Sequence, residues 1–386
     1  MTTLALTRDI LGELIAFPTV SSDGNLEMIA YAADLLGTAG AAISISRDVS
    51  GTKANLFATL GPAGDGGIVL SGHTDVVPVD GQDWTGDPFR MEERDGRLYG
   101  RGACDMKGFI AACLAMAPAF AEAGLRRPLH FAFTYDEEVG CFGARALMDE
   151  LARAGAKPSV AIIGEPTGMR VIEGHKGCYE YTTEFIGLEG HGSQPERGVN
   201  AVEYAVRYVS RLLELGEQLK TRAPAASRFE PPWTTLQVGR FAGGAARNVI
   251  AGNCTVEWEM RPVQKGDADF VKADIGAYVE TVLKPAMHAT SRQADIITHT
   301  VGEVEGLAVA SESEARDIVL ELTGCDHADV VAFGTEAGLF QEAGISAVIC
   351  GPGSIAQAHK PDEYIALDQL DACMTMLDRL RVKLSA

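Results

Sequence analysis

Histidine and carboxylate residues recur in this chain directly after apolar stretches, a placement that suits metal-assisted hydrolysis. The apolar run Ile68–Leu70, between Gly67 and Pro78, predicts a short buried strand. His73 and Asp75 follow it two positions apart, at the strand end where open α/β sheets keep their chemistry. Taken alone, the pair is equally compatible with a buried structural histidine and an aspartate that caps a helix or forms a turn.

Four later segments place further ligand-type side chains near predicted strand ends. They are Asp105 before a helix, Asp136-Glu137-Glu138 after one strand, Glu165 after the next, and His359 after the last. Each has a plain alternative. Adjacent glutamates are typical of a solvated surface, a glutamate before a proline is typical of a turn, and His359 could lie in a surface loop. Jointly, five segments that each end in a ligand type favour a metal site.

The chemistry of this set fits two zinc ions. Two imidazoles and several carboxylates offer the mixed nitrogen and oxygen ligands that zinc prefers. Asp105, Glu138 and Glu165, together with one bridging hydroxide, would balance the charge of two divalent ions. One glutamate of the adjacent pair would remain free to take a proton from the water between the metals.

The glycine-rich segment Gly100–Gly108 raises the alternative of a nucleotide site. Its spacing matches neither G-x-G-x-x-G nor the P-loop, and no acidic residue suited to a ribose follows a second strand. Dinucleotide binding is therefore disfavoured.

The elements that must position these residues follow from hydrophobic periodicity. The predicted helices cover about 7–17, 23–40, 108–122, 142–154, 199–221, 267–284, 311–322, 336–343 and 367–383. The predicted strands cover 41–46, 55–60, 68–70, 129–135, 160–163, 178–188, 234–241, 254–261, 294–299, 330–333 and 345–350.

This order predicts an α/β protein with an insertion. Strands and helices alternate in 1–176 and again in 302–386, which indicates a catalytic domain with a mostly parallel sheet covered by helices on both faces. Residues 177–301 read β-α-β-β-α-β, the order of a ferredoxin-like α+β domain. The catalytic domain is therefore expected to be discontinuous, with the second domain inserted into it.

Composition narrows the partners and the compartment. The 386-residue chain has a formal net charge of −20, which argues against nucleic acid and anionic membrane as partners. Its eight cysteines include no CxxC pair, and several lie in apolar runs, as reduced cysteines do. We also expect no apolar stretch long enough to span a bilayer, and no signal sequence, so the prediction is a cytoplasmic protein.

The collected segments resemble those of the dizinc deacylases and exopeptidases, over nearly the whole chain. They are 73–75, 102–108, 136–138, 164–166 and His359. The resemblance implies two Zn²⁺ or Co²⁺ ions per subunit, with His73 and Glu165 on one ion, Glu138 and His359 on the other, and Asp105 bridging them. It also implies a cis peptide bond between Asp105 and Met106.

The resemblance further implies catalytic roles. A metal-bound hydroxide would be the nucleophile, and Glu137 the general base and then the general acid. Asp75 would accept a hydrogen bond from the His73 ring and fix its tautomer. His191, in the inserted lid, resembles the histidine that stabilises the oxyanion of a neighbouring active site, although a surface histidine in a glycine-rich loop is the alternative. If His191 acts across chains, the lid is also the surface of a homodimer.

The expected substrate is a small N-acyl amino acid. Glutamate at position 165 is typical of family members that are deacylases or carboxypeptidases. Asn248 and Arg261 resemble the lid residues that hold the substrate α-carboxylate, a contact that arginine makes in bidentate fashion. The segments 334–337 and 351–359 resemble those of the branch that deacetylates N-acetyl-L-ornithine in arginine biosynthesis.

Within that branch, Glu336 is expected to pair with a cationic side chain such as the ornithine ammonium, with Thr335 hydrogen-bonded to the substrate beside it. Cys104 and Tyr135 depart from the pattern of the branch, which leaves acetylcitrulline and succinyl-diaminopimelate as alternative substrates. A non-catalytic sensor of acylated amino acids is an alternative of another class. Loss of a metal ligand or of Glu137 would favour it, and none is missing.

Overall fold

The computed structural model describes residues 2–386 and divides them into two units. The first comprises residues 2–174, 309–330 and 335–386, and the second comprises residues 175–308 and 331–334. Each unit has its own hydrophobic core. The second unit includes the range 177–301 in which the sequence predicts an inserted domain.

The elements are numbered along the chain. The helices are α1 (Thr3–Ala16), α2 (Leu26–Thr38), α3 (Gly108–Glu122), α4 (Phe142–Ala154), α5 (Ala201–Lys220), α6 (Lys265–Tyr278), α7 (Lys284–His288), α8 (Glu314–Thr323), α9 (Ala337–Glu342) and α10 (Leu367–Ser385). The strands are β1 (Ala42–Arg47), β2 (Ala54–Leu60), β3 (Ile68–His73), β4 (Glu92–Arg94), β5 (Arg97–Tyr99), β6 (Leu129–Thr134), β7 (Val160–Pro166), β8 (Ile172–His175), β9 (Cys178–Ile186), β10 (Gly190–His191), β11 (Thr235–Gly243), β12 (Val249–Ile250), β13 (Asn253–Arg261), β14 (Asp295–Val304), β15 (Asp329–Val331), β16 (Ser346–Gly351) and β17 (Tyr364–Ala366).

The first unit is built on an eight-stranded sheet in the order β1-β2-β6-β3-β7-β16-β8-β15. Its central strands β6, β3, β7 and β16 are parallel, whereas β1, β2 and β8 join antiparallel to their neighbours. Strands β3, β6 and β7 are buried at every position, which explains their nearly continuous apolar sequences. The prediction of a mostly parallel sheet flanked by helices is confirmed.

Successive side chains of the central strands alternate between the two faces of this sheet. Leu70, Phe131 and Ile162 belong to the core that α1, α3 and α10 share. The intervening Val69 and Ala161 are buried outside that cluster, and α4 and α9 contact β6 and β7. The period of two along each strand therefore places apolar side chains under both helical layers.

The expectation that no stretch is long and apolar enough to span a membrane was wrong for the segment that contains α3. The segment Ala103–Glu122 passes that test by length and by a mean hydropathy of 1.3, and 89% of the tested window is buried inside the protein. Helices α1, α2 and α10 all contact α3. Its apolar composition is accounted for by burial in the core of the first unit.

The second unit is an antiparallel sheet in the order β11-β13-β9-β14, with α5 and α6 between its strands in sequence. This is the predicted β-α-β-β-α-β order with ferredoxin-like strand positions. Its core includes Tyr181 stacked on Trp258, with ring centroids 4.5 Å apart, and Tyr208 packed edge-on against Trp258.

Three local expectations were wrong. Strand β14 continues past the predicted end at 299, because a bulge leaves Val301 unpaired and the pairing with β9 resumes at Gly302. The helix predicted over 267–284 is interrupted by a π-helical turn at Val279–Leu283. A third sheet, β17-β5-β4, went unpredicted because three-residue strands are too short to show a period.

Candidate active site

The parallel strands of the first unit bring distant acidic segments to one edge of the sheet. His73, the last residue of β3, lies beside Thr134 at the end of β6. Glu137 comes only three positions after Thr134, so the chain brings it to the same edge as His73. Strand β7 pairs with the other side of β3 and carries Glu165 near its end. The carboxyl ends of parallel strands meet at one edge, as the sequence argument required.

Asp105 lies between two pairs of side chains. Its Oδ1 is 3.0 Å from His73 Nε2, and its Oδ2 is 3.4 Å from His359 Nε2. Glu165 Oε1 is 3.6 Å from the same His73 nitrogen, and Glu138 Oε2 is 3.1 Å from His359 Nε2. The structure thus brings together the five side chains predicted to be ligands, with one carboxylate between the two groups.

This donor set fits two divalent cations. Tetrahedral zinc with bonds of about 2.0–2.1 Å separates neighbouring donor atoms by roughly 3.3 Å, and the separations of 3.0–3.6 Å here bracket that value. Potential ligand atoms of His73, Glu137 and Glu165 lie within 4.8 Å of one another, as do those of His73, Asp105 and Glu138. Among residues 2–386, the buried Glu165 Oε1 has no hydrogen-bond partner, an anomaly that a bound cation removes.

The acidic side chains of this cluster repel one another when they are charged, and this repulsion favours their protonated forms. Burial and the charge of Asp105 raise the pKa of Glu165 well above its usual value. Burial also raises the pKa of Glu137, helped by neighbouring carboxylates and opposed by His73. Hydrogen bonds to Asp105 and then to a second carboxylate raise the pKa of His359 to about 10. Cations would have to displace these protons in order to bind.

Asp75 acts differently from the expectation. The His73 Nδ1 is 2.9 Å from the backbone carbonyl of Asp75 and 3.6 Å from its carboxylate, so the carbonyl accepts the ring N–H. This bond leaves Nε2 of His73 as the ligand atom. The Asp75 carboxylate instead accepts the backbone N–H groups of Glu137 and Glu138, at 3.0 and 3.2 Å, and the Ser21 hydroxyl. Asp75 therefore positions the acidic pair as well as the imidazole.

The segment that carries Asp105 is irregular and buried. It forms a kinked turn, Ala103–Lys107, directly before α3, in which Asp105 and Met106 have non-helical backbone angles. The peptide bond between Asp105 and Met106 is cis, as the family resemblance implied. Lys107 Nζ donates to the carbonyls of Leu14 and Phe17 at 3.0 and 2.8 Å, which ties this turn to the end of α1.

Thr335 and Glu336 lie below this edge of the sheet, and each is only 1% exposed. The Glu336 carboxylate accepts hydrogen bonds from the hydroxyls of Ser71 and Thr134, at 2.5 and 2.8 Å. Thr335 Oγ1 accepts the N–H of Ala337. Each carboxylate oxygen retains acceptor capacity, but Glu336 is buried, so a substrate ammonium could reach it only if the surrounding side chains moved. The geometry therefore favours Glu336 as a buried tie between β3 and β6.

In the second unit, His191 and Asn248 lie side by side on exposed backbone. Strands β10 and β12 pair His191 with Val249, and the Gly192 N–H donates to the Asn248 carbonyl at 2.8 Å. The His191 Nδ1 lies 2.8 Å from Ser193 Oγ. The exposed imidazole is thus oriented by a local bond.

Arg261, at the end of β13, is half-buried. It belongs to the four-stranded sheet, whereas β10 and β12 form a separate two-stranded sheet. Its guanidinium donates to Glu259 at 2.6 Å. Potential ligand atoms of Cys178, Glu180 and Glu259 also lie within 4.8 Å of one another. Sequence reasoning did not identify this group, whose members are spread over two strands.

Sequence reasoning also missed a buried ion pair beside the ligands. Arg101 and Glu363 are each 1% exposed, and their side chains are 2.7 Å apart. The available signal was a charged residue in each of two ligand segments, the glycine-rich one and the one that follows His359. Charged residues in loops are usually solvated, so the sequence favoured the wrong interpretation.

Buried carboxylates and His73 at the carboxyl ends of parallel strands, together with the partly exposed His359 and with Glu137 beside them, define a metal-dependent amidohydrolase. The chain belongs to the peptidase family M20/M25/M40, whose family model matches residues 69–382.

Relatives that match nearly the whole chain are deacetylases by name. The acetylornithine deacetylase of Myxococcus xanthus is 37% identical over 385 residues, which cover 98% of this chain and 97% of the relative. The acetylornithine deacetylase of Pasteurella multocida is 32% identical over 375 residues and 95% of each chain. The chain is therefore a metal-dependent deacylase.

Solved structures share the fold. An M20 family metallo-carboxypeptidase from Sulfolobus solfataricus, Sso-CP2, superposes with a TM-score of 0.75 at 17% identity, over 98% of this chain and 99% of that one. The YXEP protein of Bacillus subtilis, a dinuclear metal-binding peptidase, gives a TM-score of 0.66 at 16% identity, over 99% and 98%. The predicted fold class is thereby confirmed.

Proposed function

We propose that this enzyme hydrolyses N-acetyl-L-ornithine to ornithine and acetate, as a step of arginine biosynthesis, in the cytoplasm. The position of Asp105 between two histidine groups, with Glu137 beside them, carries the chemical part of the proposal. The substrate is inferred from the names of relatives that match the chain nearly end to end. In residues 2–386 the eight cysteines form no disulfide, in keeping with a reducing compartment.

The two metal positions are assigned by proximity. His73 and Glu165 would hold one zinc or cobalt ion, Glu138 and His359 would hold the other, and the two oxygens of Asp105 would serve both. Bound there, the ions would polarise the acetyl carbonyl and lower the pKa of the attacking water.

Glu137 moves the proton in this mechanism. It accepts a proton from the attacking water as the water oxygen bonds to the acetyl carbon, and it delivers that proton to the ornithine nitrogen as the C–N bond breaks. One water is consumed and both of its protons end on the nitrogen, so the products are acetate and an ammonium group. The hydrogen bond from the Glu137 N–H to Asp75 holds the base in place for both transfers.

Residues of the second unit would bind the rest of the substrate. His191 would donate to the oxyanion, and Asn248 and Arg261 would hold the α-carboxylate. Arg261 exchanges Glu259 for the substrate in this scheme, which keeps the guanidinium paired in both states. We further propose a homodimer formed through the second unit, in which His191 acts on the partner's substrate.

Steady-state hydrolysis of four substrates tests the proposal after zinc or cobalt has been supplied. They are N-acetylornithine, N-acetylcitrulline, N-acetylmethionine and N-succinyl-diaminopimelate, with Glu137→Ala as the blank. We expect kcat/KM for N-acetylornithine to exceed the others by tenfold or more, equal to ~1.4 kcal/mol at the transition state. A preference for N-acetylmethionine would contradict the ornithine assignment. Absence of turnover on all four would favour a sensor.

Glu336→Gln tests how the ornithine side chain is recognised. If Glu336 pairs with the ammonium, KM for N-acetylornithine rises and KM for N-acetylmethionine does not. If Glu336 only ties β3 to β6 through Ser71 and Thr134, both substrates lose kcat alike. The ratio of the two effects separates contact from positioning.

A further inference from the structure

Glu363 binds the backbone of the segment that carries Asp105. Its Oε1 accepts two consecutive N–H groups, from Cys104 at 2.9 Å and from Asp105 at 3.0 Å. Its Oε2 accepts Arg101 Nη1 at 2.7 Å. Because these groups lie more than 250 positions apart in the sequence, the contacts join two segments that the chain itself does not hold together.

Arg101 continues the connection to His359. Its guanidinium donates to the Lys360 carbonyl at 3.3 Å, to the Pro78 carbonyl at 3.4 Å, and to the Gln82 side chain. Gln82 in turn donates through Nε2 to the His359 carbonyl at 3.1 Å. The position of the His359 backbone is therefore set by the residue that also pairs with Glu363.

His359 needs such support more than the other ligands do. Its side chain is 51% exposed, its backbone has a positive φ of 62°, and it lies in a loop after β16. His73, by contrast, is the last residue of a central strand and is 1% exposed. The sheet and the adjacent Asp75 carbonyl fix His73, whereas His359 depends on contacts with other loops.

We propose that Arg101 and Glu363 are a positioning pair that holds His359 opposite Asp105, so that the second metal ion is bound. A buried ion pair is weak support for stability by itself, because desolvation offsets its attraction. Contacts that orient a ligand from behind, however, typically change metal affinity by 10–100-fold. The inference rests on the two-ion arrangement proposed above. The ion at His359 would depend on this pair through both His359 and Asp105, whereas the ion at His73 would depend on it through Asp105 alone.

The test is zinc titration of the metal-free protein, with each binding step resolved by calorimetry or by competition with a chelating dye. Wild type should bind two equivalents. Glu363→Gln should bind the second 10–100-fold more weakly and the first with a smaller loss, because Glu363 also holds the backbone of Asp105, which serves both ions; excess zinc should restore kcat. The control is Arg170→Gln, which breaks an ion pair with Asp329 whose side chains are 63% and 35% exposed, and should change neither step.

Arg101→Lys provides a second variant if Glu363→Gln does not fold. It keeps the charge but cannot reach Glu363, Gln82 and the Lys360 carbonyl at once, so it should show the same selective loss. Equal weakening of both steps, with a lower Tm and no rescue by zinc, would overturn the inference in favour of a purely structural pair. Two unchanged steps would also overturn it. A wild type that binds fewer than two equivalents would refute the two-ion arrangement itself, and this inference with it.

Discussion

The candidate functional residues of the two units differ in burial and in how firmly their surroundings hold them. In the first, His73, Asp105 and Glu165 are at most 5% exposed, and their donor atoms already lie at ligand-like separations. In the second, His191 and Asn248 are exposed, and the imidazole bonds only to a neighbouring serine. The difference follows from charge, since carboxylates that repel one another keep a metal-binding geometry only when the surrounding fold holds them there.

This contrast predicts two classes of variant. Changes in the first unit should alter metal binding, proton transfer or stability. Changes at the candidate residues of the second unit should alter turnover or KM while metal binding and Tm stay at wild-type values. The following predictions separate the two classes.

The largest effect is expected for Glu137→Gln. A side chain that cannot take a proton should lower kcat by about 10²–10⁴-fold, because general base and acid assistance is lost together. Zinc stoichiometry and Tm should stay near wild type, since Glu137 is not assigned as a ligand. If the variant instead lost a zinc equivalent, Glu137 would be a ligand and the roles within the acidic pair would be reversed.

His191→Ala comes next and examines the second unit. Removal of an oxyanion donor should lower kcat by about 10²–10³-fold. Both zinc affinities and Tm should be unchanged, because His191 makes only local contacts. Mixing this variant with Glu137→Gln gives a further comparison, since activity regained in mixed dimers would show that His191 serves the partner chain. Wild-type kcat in His191→Ala would remove the residue from the mechanism.

Metal affinity should rise with pH. The pKa of His359 is about 10 in this metal-free form, above its usual value of 6.5, so the residue is protonated at pH 7 and must lose that proton to bind a cation. The raised pKa of Glu165 acts in the same direction. Each proton released makes the apparent zinc affinity about tenfold stronger per pH unit. Calorimetry in buffers of different ionisation enthalpy counts these protons, and zero release would contradict the clustered geometry.

The smallest effects are expected from two glycine substitutions that contrast the units. In the first, a Cβ on Gly164 would lie 2.0 Å from the Phe109 ring, so Gly164→Ala should destabilise by ~1–3 kcal/mol. In the second, Gly216 in α5 has nothing within 4 Å of its would-be Cβ, so Gly216→Ala should stabilise by ~0.5–1 kcal/mol. Urea unfolding measures both. A destabilised Gly216→Ala would show that this face of α5 is covered in solution.

Prediction from sequence succeeded where a residue follows a long periodic element. His73 and Glu165 lie at the ends of buried parallel strands and Glu137 follows a third. The apolar runs of these strands are plain in the sequence, and the ends of such strands share one edge of the sheet. It was less successful for Asp75, whose carbonyl rather than carboxylate receives the His73 N–H. A residue type does not say which of its oxygens will face a neighbour.

It failed for the groups that join segments far apart in the chain. The sequence shows Arg101 and Glu363 as two ordinary loop charges, and nothing local says that both are buried against each other. Glu336 is similar, since its bonds to Ser71 and Thr134 depend on the order of β3 and β6 in the sheet. Such pairings arise from topology, which hydrophobic periodicity does not encode.

The amino-acid sequence by itself determined which residue types are available for metal-assisted hydrolysis, and that they follow strands, because side-chain chemistry and hydrophobic period are local properties of the chain. Only the tertiary structure decided that Asp105 lies between His73 and His359 and that Glu165 Oε1 is buried with no hydrogen-bond partner in residues 2–386. Those separations are set by the packing of β3, β7 and the loop after β16. Packing is a property of the whole fold, since these contacts join residues that are from 32 to more than 200 positions apart.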